Sequence, residues 1–215
     1  MYTPAPFIIT DQAVIDNFVK ENAFAIVITS DADGVPVATH LPLMLEITPD
    51  GKRILHGHCA RSNPHWKLLE QGRSTLVIFH GAHSYISPRW YNHENVPTWN
   101  YQTVHAYGTP NIYTDRESLR QAVSLLTAEY EDHSKYSVDK LTPRFLEMEL
   151  RGIVGFTLHV ERFEAKFKLS QTRDSESYAT IIAELERSDN ANDRGIAAAM
   201  KQHNPHDSPD EAHHH

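Results

Sequence analysis

Histidine is concentrated in one part of this 215-residue chain, where eight of its 15 histidines lie between residues 40 and 105. His56 and His58 are two residues apart in a predicted strand, so both imidazoles face the same side. Such a pair could bind a metal ion. No Asp, Glu or Cys follows at a familiar ligand spacing, so we favour a polar strand face and predict no metal site.

The segment Arg61-Ser62-Asn63-Pro64 stands at the predicted start of a helix. Backbone N–H groups and the helix dipole at such an end attract an anion, and an arginine adds a bidentate clamp for phosphate. The same residues are compatible with plain capping of the helix by Ser62. The pattern alone therefore leaves phosphate binding and capping both open.

Aromatic side chains cluster in the middle of the chain. They could line a pocket for a flat ring or cover an interface, but composition alone favours a second hydrophobic core under a long loop. The set consists of Tyr85, Trp90, Tyr91, Trp99, Tyr101, Tyr107 and Tyr113.

The single Cys59 is interpreted as a small buried hydrophobe. Glycine-rich phosphate loops, a serine nucleophile elbow and a helix-turn-helix pattern are all missing from the sequence.

Charge and composition limit the possible functions. Lys and Arg number 20 against 28 Asp and Glu, which gives a net charge of −8. This balance argues against a broad nucleic-acid surface but allows a local basic patch. A single cysteine cannot form an internal disulfide and fits a reducing, cytoplasmic compartment. The apolar runs are too short to span a bilayer, and the first residues do not predict a signal peptide.

The elements that must position these residues are mostly short strands. We predict strands at 23–29, 35–41, 53–59, 75–79 and 101–113, and a closing pair at 152–160 and 162–169. Helices are predicted after Thr10-Asp11, at 62–70, after a capping box at 114–117, at 175–187 and at 193–203. Residues 80–100 are interpreted as a long ordered excursion, and the last dozen residues as disordered. Strands that do not alternate regularly with helices favour a barrel or sandwich over a doubly wound sheet.

Several stretches taken together resemble one family, the FMN-binding negative transcriptional regulators of the PaiB type. The resemblance covers about residues 1–190, and its most specific stretch is Val96 to Gly108. The matching stretches are Tyr2-Thr3-Pro4 with Phe7, Ala38-Thr39-His40-Leu41-Pro42, Gly57 to Pro64, Phe79-His80-Gly81, Tyr85-Ile86-Ser87-Pro88 with Trp90-Tyr91, Val96-Pro97-Thr98-Trp99-Asn100-Tyr101 with Val104 to Gly108, and Lys166-Phe167-Lys168-Leu169-Ser170-Gln171.

The resemblance implies a mostly β chain with flanking helices (α+β), a split β-barrel of the pyridoxamine-phosphate-oxidase kind. It implies one FMN-binding domain over residues 1–190, followed by a polar tail over 191–215. It also implies a homodimer with FMN at the subunit interface. The cofactor-binding residues that it implies are Arg61, Ser62 and Lys67 for the phosphate, Thr39, His40, Val77, Ile78, Phe79 and His80 near the ring, and Lys168 and Gln171 closing the site. The aromatic segment would cover the ring or build the dimer contact.

The resemblance implies flavin-dependent regulation of gene expression, with DNA or a regulatory protein as a further partner. A flavin-dependent oxidoreductase is the first alternative, in which His40, His80 or Tyr85 would donate protons. A haem-binding or haem-degrading barrel is the second. The sequence departs from the family pattern at Arg89 and Thr172, which leaves the ligand preference open.

Overall fold

Antiparallel strands form most of the computed structural model, which describes residues 1–207. The strands are β1 (Ile8–Ile9), β2 (Phe24–Ser30), β3 (Pro36–Pro42), β4 (Met44–Ile47), β5 (Arg53–Ala60), β6 (Thr75–Ile86), β7 (Thr98–Tyr113) and β8 (Ile153–Lys168). The helices are α1 (Gln12–Glu21), α2 (His65–Leu69), α3 (Arg116–Tyr130), α4 (Pro143–Arg151), α5 (Ser175–Glu186) and α6 (Ala191–Gln202). Short 3₁₀ turns lie at Ala5–Phe7, Pro88–Trp90 and Val138–Lys140.

The chain divides into two compact units, and the larger one comprises residues 16–79 and 105–163. Its strands follow the order β3-β2-β6-β7-β8-β5-β4. The first and last strands of this order are joined in the chain by Leu43 alone. Leu43 is buried, and its backbone N–H donates to the carbonyl of Ala23 at 2.9 Å. The strand path therefore returns on itself, as it does in a barrel.

Alternation along these strands builds the core of the larger unit. Val27 and Val77 are paired on neighbouring strands and are fully buried, whereas Ile26 and Ile78 in the next row are half-buried. Gly57 leaves room for the ring of Phe156, which an added Cβ would approach to 2.8 Å. The inward face is thus packed at close contact, while the outward face is only partly buried.

The smaller unit comprises residues 1–15, 80–104 and the chain from Glu164 onward. Strand β1 pairs with the end of β8, with Ile8 opposite Lys166. Helices α5 and α6 pack together, and the buried hydroxyl of Tyr178 donates to the carbonyl of Met200 at 2.8 Å. The division at residue 190 stays a prediction. Disorder was predicted for the last dozen residues, most of which lie outside the described residues 1–207.

Two predicted segments are wrong. Residues 80–86 continue β6 instead of opening an excursion, and Ser84 and Ile86 are buried on either side of the exposed Tyr85. Residues 153–168 form one continuous strand and not a pair of strands. Strand β4 and helix α4 were missed. Helix α3 is capped by Asp115, whose side chain accepts from the Ser118 N–H, so the predicted capping box was shifted by one residue.

Candidate functional site

Three side chains in the larger unit form a polar cluster, Thr39–Asn63–His65, which we call the threonine–histidine cluster. The Thr39 Oγ1 lies 2.8 Å from the His65 Nδ1 and accepts a hydrogen bond from the Asn63 Nδ2 at 3.2 Å. The Asn63 Oδ1 in turn accepts from the His65 backbone N–H at 3.0 Å. Strand β3 thereby holds the start of α2 through two hydrogen bonds, and a third forms within that start.

The imidazole of His65 has one nitrogen left over. Its side chain is 2% exposed, and Nε2 has no hydrogen-bond partner in the described part of the chain. Burial lowers the pKa of His65, so the ring is neutral. A buried polar atom without a hydrogen bond lowers the stability of the folded state by about 1–3 kcal/mol, so most such atoms have a partner. A bound ligand could supply that partner.

Ser62 does not cap α2, so the capping alternative left open by the sequence is wrong for this residue. The Asn63 side chain accepts from the backbone at the start of the helix instead. Because α2 has only five residues, its dipole offers little help to an anion. Ser62 and Lys67 are exposed, and the Lys67 ammonium lies 5.8 Å from the centroid of the Trp66 ring.

The guanidinium of Arg61 is hydrogen-bonded to the backbone at the end of α4. Its Nε donates to the carbonyl of Arg151 at 2.9 Å, and its guanidinium NH2 donates to that of Ile153 at 3.0 Å. Together with Arg116 and Arg151 it lines a cavity of about 320 Å³. Glu147 lies between these two arginines, 2.8 Å from the Arg116 Nε and 3.4 Å from the Arg151 Nε. The structure therefore brings Arg61 together with other arginines at the end of α4.

The residues predicted beside a flavin ring divide between two faces of the sheet. Thr39 pairs with Val27, which pairs with Val77, whereas His40 pairs with Ile26 and Ile78 occupies the same row. The side chains of Val77 and Phe79 are fully buried in the core. Those of His40 and Ile78 lie on the outward face, His40 exposed and Ile78 half-buried. Val77 and Phe79 therefore cannot offer side-chain contact to a ligand, whereas His40 and Ile78 can do so on the outward face.

The smaller unit places His80 in a ring cluster with His83, Tyr85 and Trp99, which we call the histidine–tryptophan cluster. The centroids of His80 and His83 are 5.0 Å apart, and Trp99 lies 6.2 Å from His83 and 6.0 Å from Tyr85. Trp99 is 53% exposed, which is unusual for so large an aromatic side chain. The cluster therefore exposes aromatic rings to solvent, with Trp99 inclined at 74° to Tyr85.

Lys168 adjoins this cluster. Its ammonium donates to the Trp99 carbonyl at 2.9 Å and to the hydroxyl of Thr98. Burial, and then the nearby positive charges of Lys166 and Arg173, lower the pKa of Lys168. The positive charges around Lys168 favour the approach of an anion.

Gln171 holds the backbone turn that follows Lys168. Its Oε1 accepts from the Leu169 N–H at 2.7 Å, and its Nε2 donates to the Phe167 carbonyl at 2.5 Å. Ser170 lies in the left-handed region at φ 63° and exchanges hydrogen bonds with buried Asn100. Sequence reasoning named Gln171 but missed Asn100 and Ser170 as site-building residues, although all three stand in the quoted motifs.

The two histidines of β5 have different surroundings. His56 Nε2 lies 2.6 Å from Glu46 Oε2, and burial lowers the pKa of His58. No group of three or more His, Cys, Asp or Glu side chains suited to a metal ion occurs among residues 1–207. Cys59 is buried, and burial raises the pKa of its thiol. Within the same residues, no helix combines the length and apolar character needed to cross a bilayer.

Solved structures share this arrangement of strands. A FAD and heme binding protein from Mycobacterium smegmatis matches with a TM-score of 0.61 at 15% identity, over 80% of this chain and 78% of its own. The flavocytochrome Anf3 from Azotobacter vinelandii also gives 0.61, at 17% identity over 80% and 75% of the two chains. The fold is therefore the split barrel, mostly antiparallel sheet with flanking helices, as predicted.

Sequence comparison identifies the family. The family described as "Putative FMN-binding domain" matches residues 1–162. The chain is also 42% identical over 203 residues, 94% of its length and 97% of the relative's, to protease synthase and sporulation protein PAI 2 of Bacillus subtilis (strain 168). The chain belongs to this FMN-binding, PaiB-type family, which confirms the resemblance and its cofactor, FMN.

Proposed function

We propose that the chain is a flavin-dependent regulator that binds FMN against the threonine–histidine cluster. The observation that carries the proposal is the buried, unpartnered Nε2 of His65, which directly follows the Gly57 to Pro64 stretch of the family resemblance. A phosphate or polyol oxygen of FMN would complete its hydrogen bonding. Arg61, Ser62 and Lys67 would add donors around the same turn, and Thr39 would hold His65 in place.

The ring of the cofactor would lie on the outward face near His40 and Ile78, with main-chain groups of Val77, Phe79 and His80 alongside. When bound, FMN supplies electron and hydride transfer that no side chain can perform. The protein's own contribution is to bind and orient. Lys168 would close the site from the partner chain of the dimer, and Gln171 would keep the Lys168 turn in place.

A homodimer with FMN at its interface belongs to the same proposal. The exposed histidine–tryptophan cluster supports it, because exposed aromatic rings beside polar groups are typical of interfaces. Sedimentation velocity at several concentrations tests the assembly. A dimer that takes up about one flavin per chain is expected, whereas a monomer that binds FMN fully would contradict the interface placement.

Regulation of gene expression is supported by the name of the Bacillus relative, which refers to protease synthesis and sporulation. With a net charge of −8, we propose that the chain acts from the cytoplasm mainly through a regulatory protein partner. Electrophoretic mobility shift with genomic fragments, at oxidised and reduced flavin, tests the alternative of direct DNA contact. No shift in either state is expected, and a salt-sensitive shift would contradict this route.

A further inference from the structure

A cavity of about 580 Å³ lies in the larger unit between α3 and the outward face of β4, β5 and β8. Its volume is in the range of small-molecule sites. None of the residues implied in FMN binding lines it. The proposed function therefore leaves this cavity without a role.

The cavity has an apolar wall on two sides. Met44 and Leu45 line it from β4, and Ala122 and Leu125 from α3. Leu125 is 48% exposed although it faces the cavity, so this part of α3 has apolar surface that no described side chain covers. A small hydrophobic body placed here would remove that surface from water.

The polar end of the cavity carries negative charge. Glu46 is its only carboxylate, and none of the described residues that line it is a lysine or an arginine. His56 occupies one oxygen of Glu46, at 2.6 Å, and the Glu46 side chain is 52% exposed. Ser118 and Gln121 add neutral hydrogen-bonding groups. This arrangement favours a ligand with a cationic donor and disfavours an anion.

We propose that the cavity is a binding site for a small organic amine. The ammonium would donate to Glu46, and the apolar body would lie against Met44, Leu45, Ala122 and Leu125. Such a site would let the chain respond to a second ligand besides FMN.

Three probes that share a phenyl group test whether the cavity prefers a cation to a neutral or anionic ligand. They are 2-phenylethylamine, 2-phenylethanol and 3-phenylpropanoate. Each is titrated into the full chain loaded with FMN and followed by ligand-observed NMR. The amine should bind about tenfold or more tightly than the alcohol, since a charge-assisted hydrogen bond is lost, and the carboxylate should bind weakest. Equal binding of the three, or no binding of the amine, would overturn the proposal.

Two alanines of α3 provide a matched pair of variants. Ala122→Trp fills the cavity and should abolish amine binding, whereas Ala128→Trp, at an exposed position of the same helix, should leave it unchanged. Glu46→Gln should weaken the amine about tenfold without affecting the alcohol. Amine binding that survives Ala122→Trp, or is lost equally in Ala128→Trp, would contradict the site. Loss of FMN in Ala122→Trp would also overturn it, because the cavity would then belong to the cofactor.

Discussion

The Thr39 hydroxyl and the His65 Nδ1 lie 2.8 Å apart, although 26 residues separate them in the chain. This contact ties β3 to the first turn of α2 and fixes the plane of the buried imidazole. Because Nδ1 is occupied, Nε2 is the nitrogen left for a ligand. His65, which no sequence motif singled out, is therefore the central residue of the proposed FMN site.

The stability of the protein should fall as the solution is acidified. Burial lowers the folded-state pKa of His65, His58 and His203 below the ordinary value of 6.5. The unfolded chain therefore binds more protons below about pH 6.5, and each such histidine removes up to about 1.4 kcal/mol per pH unit. Urea unfolding between pH 7.5 and 5 measures the slope. His65→Asn should reduce it, and an unchanged slope in that variant would contradict a buried neutral His65.

The variant Arg61→Ala tests whether Arg61 binds the FMN phosphate or only anchors the end of α4. Loss of a charged hydrogen bond costs about 1.5–3 kcal/mol, so FMN affinity should fall by about 10- to 150-fold if Arg61 contacts the phosphate. Fluorescence titration of FMN measures the change. Arg73→Ala is the control, because Arg73 also donates to backbone carbonyls. A lower melting temperature with unchanged FMN affinity would restrict Arg61 to anchoring the end of α4.

The Ser170 hydroxyl stabilises the turn by its hydrogen bond to Asn100. The left-handed backbone of Ser170, at φ 63°, costs part of that stability. Ser170→Ala should lower the free energy of unfolding by about 1–3 kcal/mol, since Asn100 loses a buried partner. Ser170→Gly should recover about 1 kcal/mol of that loss, because glycine adopts φ 63° without strain. Chemical denaturation of both variants measures the difference. Equal stability of the two would contradict the left-handed backbone at this position.

Much of the barrel could be predicted from the sequence, because strands such as 24–30 and 75–79 carry clear apolar patterns between turns. Residues 80–86 looked irregular because the buried positions of β6 change parity between Phe79 and Ser84, so one simple alternation does not run through the strand. The phosphate pattern at Arg61 and Ser62 was recognisable, but local sequence could not show that Arg61 would contact α4. Similarly, the role of His65 depends on Thr39, a contact that only the folded chain creates.

Trp99→Asp should disrupt the proposed dimer. A charge at the centre of a desolvated aromatic surface opposes association, so the variant should sediment as a monomer. Phe145→Asp on α4 is the matched control, since Phe145 is also an exposed aromatic residue but stands outside the histidine–tryptophan cluster. Sedimentation velocity distinguishes the two variants. A Trp99→Asp protein that remains dimeric would place the interface elsewhere.

The most direct test of the FMN site is the affinity of FMN for His65→Asn. Asparagine can keep the contact made by Nδ1 to Thr39 but has no atom at the Nε2 position, so only the end proposed to touch the cofactor is removed. Fluorescence titration should give about one flavin per wild-type chain and a dissociation constant raised about tenfold in His65→Asn. The control His58→Asn should bind FMN as the wild type does. An unchanged dissociation constant in a folded His65→Asn protein would contradict the placement of FMN against the threonine–histidine cluster.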